Sequence, residues 1–246
     1  MHLKTIQANA FKSIFEVLKD VLNDVNIIFN EKGMSILTLD TARTSLIDLN
    51  LSAENFEEYE CEYETVVGVN MANLFKLLKV IGNNDTLEIN VSHRDAMNLK
   101  IQNAEKRTST VFSLKLLDIN DDRIEMPGIK TESVTTLTSM DFQRMCRDMG
   151  NIGNEVEIVR KENSLIVSCQ GDFAGQSTTI ECVEDCECVI SGVYSLKYLN
   201  VFTKATGMAS KMQLRLNSDS NFLVLHYNVA NLGYIEFYLA PKLEEA

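Results

Sequence analysis

The stretch CVEDCEC (182–188) carries three thiols, with a fourth at Cys169, and four convergent thiolates are a zinc site. The C-x3-C-x-C spacing is not that of a zinc knuckle, so no metal is expected there. Cys186 and Cys188 share one face of a strand and are expected to pack as small hydrophobes. His2, His93 and His226 fall on separate strands or turns, with no fixed partner expected for any of them. A glycine-rich phosphate loop, a nucleophile elbow and a zinc-binding HExxH helix are all missing. An enzymatic reading therefore has no residues to stand on, and no cofactor is implied. The remaining chemistry is charge. In NLFKLLKVIGN (73–83), Lys76 and Lys79 stand side by side with no carboxylate on the same helix, although the chain has 35 acidic and 23 basic residues and a net charge of −12.

The elements that position these lysines follow from hydrophobic period. Helical spacing runs over 9–23, 71–81, 140–149 and 195–205, and Ser139 is placed to cap the third helix, with Asp141 in its first turn. On each helix two cations lie away from the apolar stripe: Lys12 and Lys19, Lys76 and Lys79, Arg144 and Arg147, Lys197 and Lys204. Glu16, Asp20, Asp141 and Asp148 dilute the pattern in the first and third helices. Four such pairs point to one shared surface that faces a polyanion. Period-2 alternation marks strands at 34–40, 86–92, 97–102, 211–217, 222–228 and 234–240, separated by turns such as NEKG, GNND and NSDSN.

The order of elements repeats. Strand, helix, several strands, helix and several strands occurs once before residue 116 and again after 131, as expected of a duplicated α+β unit. Between the halves, DINDDRIEMPGIK (118–130) is acidic, irregular and holds one of only two prolines, which reads as an exposed linker. Composition, at 45% hydrophobic and 24% charged, is that of a globular protein with a substantial core. No run of about 18 apolar residues is present, so no membrane span and no membrane partner are expected. MHLKTIQANAF lacks the pattern of a secretory signal, and six irregularly spaced cysteines fit reduced thiols in an intracellular compartment. The acidic balance confines any basic function to a local surface.

FEVLKDVLNDV, GVNMANLFKLLKVIGNND, FQRMCRDMGNIG, SLKYLNVFTKAT and YIEFYLAPKLEEA together resemble the proliferating cell nuclear antigen family of eukaryotic DNA sliding clamps, from about residue 5 to the end. The resemblance implies an α+β clamp fold with two similar domains, 1–117 and 131–246, joined by the connecting loop 118–130. Each domain would set antiparallel sheets outside and two helices inside. Such chains form homotrimeric rings around double-stranded DNA and catalyse nothing. They tether DNA polymerase and engage the clamp loader, nuclease and ligase through short peptide motifs. A checkpoint-type clamp subunit and a monomeric viral processivity factor are the alternatives. The compartment implied is the nucleus or the replication compartment of a large DNA virus.

The match also carries residues over. Those facing DNA would be Lys12, Lys19, Lys76, Lys79, Lys106, Arg107, Lys115, Arg144, Arg147, Lys211 and Arg215, with Lys197 and Lys204 added by helical projection. A sliding ring needs phosphate contacts without base readout, which lysines and arginines on helix faces supply. Ser13 stands where many relatives have a second lysine. The partner-peptide pocket would comprise Leu39, Arg43, Thr44, Leu46, Ile124, Met126, Pro127, Tyr238, Ala240, Pro241 and Lys242. Arg43 and Thr44 depart from the histidine and valine common in relatives. Both prolines of the chain fall in this set, where a fixed φ suits an extended segment awaiting a partner. Subunits would join through sheet edges at 108–116 and 175–183, with Thr110, Phe112 and Leu114 meeting Ser177, Thr179 and Glu181.

Overall fold

The structure, a computed structural model, describes residues 1–242 other than 94, 121–123, 127, 129–131 and 219–220. Two compact units emerge. The first takes Met1–Thr41, Ile47–Glu125 and Asn228–Ile235, and the second takes Ala42–Leu46, Met126–Tyr227 and Glu236–Ala246.

The first unit begins with β1 (His2–Thr5), α1 (Ala8–Leu18), β2 (Asp24–Asn30), β3 (Gly33–Leu39) and β4 (Ser45–Ser52), the last of which starts in residues of the second unit. It continues with β5 (Glu58–Glu60), β6 (Thr65–Asn70), α2 (Met71–Leu78), β7 (Asp85–His93), β8 (Ala96–Asn103) and β9 (Thr108–Lys115). One sheet has the order β5-β1-β7-β8-β9, and β4-β3-β2-β6 run side by side in another. Gly33, at φ 141°, lies on a close approach of β3 to the next strand, where an added Cβ would sit 2.0 Å from the Leu51 carbonyl oxygen. Asn70 caps α2 by accepting the Asn73 N–H at 3.0 Å. Phe11, Ile14, Phe15 and Leu18 of α1 and Leu74 and Leu78 of α2 form the buried helical face. Burying each of these contributes roughly 1.5–3 kcal/mol.

The second unit runs β10 (Ser133–Thr138), α3 (Ser139–Gly150), β11 (Glu155–Gln170), β12 (Gly175–Ser195), α4 (Leu196–Phe202), β13 (Lys211–Leu216), β14 (Leu223–Val229) and β15 (Gly233–Leu239), the last crossing from the first unit's residues into the second's at Glu236. The order β10-β13-β14-β15 repeats β1-β7-β8-β9, and the long hairpin β11-β12 stands where the first unit has β2, β3, β4 and β6. Register shifts on both sides of Glu162 bend that hairpin, and the buried Arg160 guanidinium donates to the Lys161, Glu162 and Ser164 carbonyls inside the bend. Phe202 of α4 stacks on Phe237 of β15 at 4.5 Å, with Tyr227 edge-on to the same ring. The α+β class and the duplication are thus as the sequence implies.

Helix ends differ from the periodic expectation. α1 stops at Leu18 rather than 23, because Asp20 N–H and Val21 N–H bond three residues back, to Val17 and Leu18, and tighten the chain before β2. α2 ends at Leu78, and α4 passes into a 3-10 segment over Thr203–Gly207. Thr138, not Ser139, occupies the cap position of α3, and Ser139 is buried in its first turn.

Candidate functional site

Each unit carries cations on its helices, and their surroundings sort them. In the first unit Lys76 and Lys79 are exposed, with the Lys76 ammonium donating to Asn73 Oδ1 at 3.1 Å. Lys12 is committed elsewhere: its ammonium donates to the Ile81 carbonyl at 2.7 Å, tying α1 to the turn after α2. Lys19 pairs with Asp20 at 2.8 Å and sits 5.1 Å from the centre of the Phe75 ring. Lys106 and Arg107 are exposed in the β8–β9 turn, which Asn103 Oδ1 holds by accepting the Lys106 N–H at 2.8 Å. Lys115 is exposed at the end of β9.

In the second unit Arg144 and Arg147 of α3, Lys197 of α4 and Lys204 beyond it are all exposed. The tie made by Lys12 has a counterpart here. Gln143, the fifth residue of α3 as Lys12 is of α1, donates its side-chain amide to the Thr203 carbonyl at 2.8 Å, in the turn after α4. Lys19, Lys79 and Lys204 all fall just past an α-helix end, where a cation also favours the orphan carbonyls. Lys211 and Arg215 differ from the rest. They alternate on β13 with the buried Met212, Leu214 and Leu216, so they lie on the sheet face away from the core and do not join the helix-borne cations.

Arg215 belongs to a polar cluster on that face. Its Nη1 donates to Glu236 Oε1 at 2.7 Å, His226 Nδ1 lies 2.8 Å from the same oxygen, and the Tyr238 hydroxyl donates to Oε2 at 2.5 Å. Burial pushes the Glu236 carboxyl up, but its bonds to His226 and Tyr238 and the Arg215 charge outweigh this and hold it below its ordinary value. His226 thus has a fixed partner, contrary to the sequence reading, and His2 has one in Glu58 at 3.2 Å.

Tyr238 leads into the residues assigned to the peptide pocket. Past it the chain returns to 42–46, where Ala240 N–H donates to the Thr44 carbonyl at 3.1 Å. Lys242 N–H donates to the Val193 carbonyl at 2.8 Å, and the Lys242 ammonium pairs with Glu155. Pro241 is half-buried and Arg43 exposed, with Arg43 in the left-handed region at φ 55°. Met126 is 39% exposed, whereas Tyr238 at 9% and Leu46 at 6% are sunk in the unit and offer little surface. Leu39 and Ile124, both of the first unit, are half-buried, and Pro127 lies outside the described residues.

The linker leaves the first unit against β6. Leu117 N–H donates to the Gly68 carbonyl at 2.8 Å, and an added Cβ at Gly68 would stand 2.3 Å from the Leu117 oxygen. The two strands expected to carry subunit contacts are edges. Among the described residues β9 pairs only with β8, and β12 only with β11. Thr110, Ser177, Thr179 and Glu181 are exposed, Phe112 and Leu114 half-buried. Sequence reasoning passed over Val111, 60% exposed on β9, and Val183, fully exposed on β12. Apolar residues displayed on open edges are the signal that would have found them.

The thiols do not converge. Cys169 is buried and donates to the Met149 carbonyl at 3.5 Å, near the tip of the hairpin, whereas Cys186 pairs in register with Glu162. Cys188 is exposed rather than packed. Among the described residues no three His, Cys, Asp or Glu side chains cluster as a metal site, and no helix is long and apolar enough to cross a membrane.

The model of the proliferating cell nuclear antigen N-terminal domain matches residues 1–125, and that of the C-terminal domain matches residues 125–242. The probable DNA polymerase sliding clamp 1 of Paramecium bursaria Chlorella virus 1 is 38% identical over 256 aligned residues, covering 98% of this chain and 97% of that protein. Two domain models in tandem over a duplicated α+β fold, together with a relative aligned over nearly its whole length, place the chain in the proliferating cell nuclear antigen family.

Proposed function

We propose that the chain is a DNA sliding clamp, three copies of which close into a ring around duplex DNA and tether a DNA polymerase without catalysing anything. The observation that carries this reading is the set of exposed cations on the helices of both units, in a chain whose net charge is −12. Lys76, Lys79, Arg144, Arg147 and Lys197, supported by Lys19, Lys106, Arg107, Lys115 and Lys204, meet the phosphates, and the acidic remainder repels DNA from other surfaces. Lys12 contributes field more than contact, since its ammonium is already bonded to Ile81. The open edges β9 and β12 pair between neighbouring copies, Thr110, Phe112 and Leu114 against Ser177, Thr179 and Glu181. A monomeric factor would leave both edges uncovered. In this reading 1–117 and 131–246 are the clamp domains and 118–130 the connecting loop, acting in a nucleus or a viral replication compartment. The viral relative supports the latter. Native mass spectrometry tests the assembly: a species of three 27.7 kDa chains is expected, and a single chain at micromolar concentration would contradict it.

The same reading includes recruitment. Polymerase, clamp loader, nuclease and ligase carry short peptides of Gln, two residues, an aliphatic, two more and two aromatics, and these seat on the surface of Thr44, Met126, Ala240 and Pro241. A one-turn plug burying three apolar side chains fits micromolar affinity, about −8 kcal/mol. Met126→Ala is expected to weaken such a peptide by roughly 1–2 kcal/mol through lost contact, with little effect on folding because Met126 is exposed. Calorimetry on the two proteins decides it, and equal affinities would put the peptide elsewhere.

A further inference from the structure

We propose that Glu236 is the positioning residue of the partner-peptide surface, holding the Tyr238 ring in the orientation the peptide meets. This rests on the reading that partner peptides seat on 42–46 and the residues after Tyr238. Glu236 is 7% exposed, and an ionised carboxylate so buried is tolerated only where donors replace its water. Those donors come from its own strand, the adjacent strand and the one beyond: Tyr238 of β15, His226 of β14 and Arg215 of β13. Gln213 extends the cluster, accepting from Arg215 Nε at 3.0 Å and Nη2 at 2.7 Å, and stands opposite His226 in the β13–β14 register.

The geometry makes Tyr238 the output of the cluster. Arg215 and His226 both converge on Oε1, which leaves Oε2 to the phenol, at a distance typical of a strong O–H···O⁻ bond. A phenol ring turns about its χ torsions, and a short bond to a carboxylate that is itself clamped on its other oxygen fixes them. Two residues on, Ala240 N–H bonds to Thr44, so the anchored ring also sets where the tail crosses 42–46. Tyr238 shows only an edge to solvent, and its contribution to the surface is therefore a matter of where that edge is held.

The test combines affinity with a local signal. A fluorescein-labelled peptide of sequence type Gln-x-x-Leu-x-x-Phe-Phe is titrated into wild type, Glu236→Gln, Tyr238→Phe and the double variant. Each single variant is expected to weaken it about tenfold, the scale of one charge-assisted hydrogen bond, and the double no more than either single, because both break one bond. Effects that multiply in the double would overturn the proposal. So would unchanged affinity in Tyr238→Phe, a variant that keeps the ring and leaves the Arg215 and His226 bonds to Glu236 in place. In parallel, 3-fluorotyrosine at position 238 reports ring order by fluorine NMR. One sharp resonance in wild type that broadens in Glu236→Gln is expected, and an unaltered resonance would show that Glu236 does not hold the ring. Should wild type fail to bind the peptide while the resonance still responds, the peptide reading falls and the positioning of Tyr238 stands.

Discussion

Val111→Asp combined with Val183→Asp is expected to yield a folded single chain of 27.7 kDa that neither assembles nor stays on DNA. Both side chains already face solvent in the lone subunit, so replacing them costs its fold little. In a ring each would lie at a seam between β9 of one copy and β12 of the next. A carboxylate placed in a drying strand pair without a partner costs at least about 2 kcal/mol. A closed trimer contains three such seams with two new carboxylates at each, so the penalty reaches about 12 kcal/mol per ring, about nine powers of ten in the assembly constant. Sedimentation across a concentration series measures this directly. A double variant that sediments as wild type would place the seam on other strands.

Arg144→Ala with Arg147→Ala is expected to disable DNA binding while leaving assembly alone. Both arginines project from exposed positions of α3, whose buried side is Phe142, Cys146 and Met149, and alanine favours the helix at either site. Each phosphate neutralised contributes a slope of about −0.9 in the logarithm of affinity against that of salt, or roughly eightfold at 0.1 M relative to 1 M. The pair removes six cations from a trimer. Even if two of the six engage phosphates at once, affinity for linear duplex falls about 60-fold at 0.1 M salt, and the salt slope flattens by about 2. Fluorescence anisotropy on a short duplex, at several salt concentrations, checks both numbers. A loss without change of slope would mean the arginines act through structure rather than through phosphate.

Much of the scaffold was legible because it is local. The 3.6-residue period of α1 through α4 and the alternation of β3, β7, β8, β13, β14 and β15 are properties of short windows, and the structure keeps all of them. Helix ends were not, because the tightening at Asp20 and Val21 depends on where the chain must go next, toward β2. The same holds for charge. A projection places Lys12 on a solvent-side stripe, but only the fold shows that the Ile81 carbonyl, distant in sequence, accepts its hydrogen bond. Arg215, His226 and Glu236 lie on three strands, and no spacing in the sequence announces that one carboxylate gathers the other two. Family resemblance could not supply this either, since it carries positions over without saying which charges are already paired. That distinction separates exposed Arg144 and Lys197 from bound Arg215.

In the proposed clamp, enclosure rather than affinity keeps the protein on DNA. The direct measurement loads the protein onto a closed circular duplex with an ATP-driven loader, washes at about 0.5 M salt, where phosphate contacts are largely screened, and then cuts the circle once. A ring is retained through the wash and lost within minutes of cutting, unless the new ends are blocked. Loss in the wash, or retention on the cut duplex with free ends, would contradict a sliding clamp.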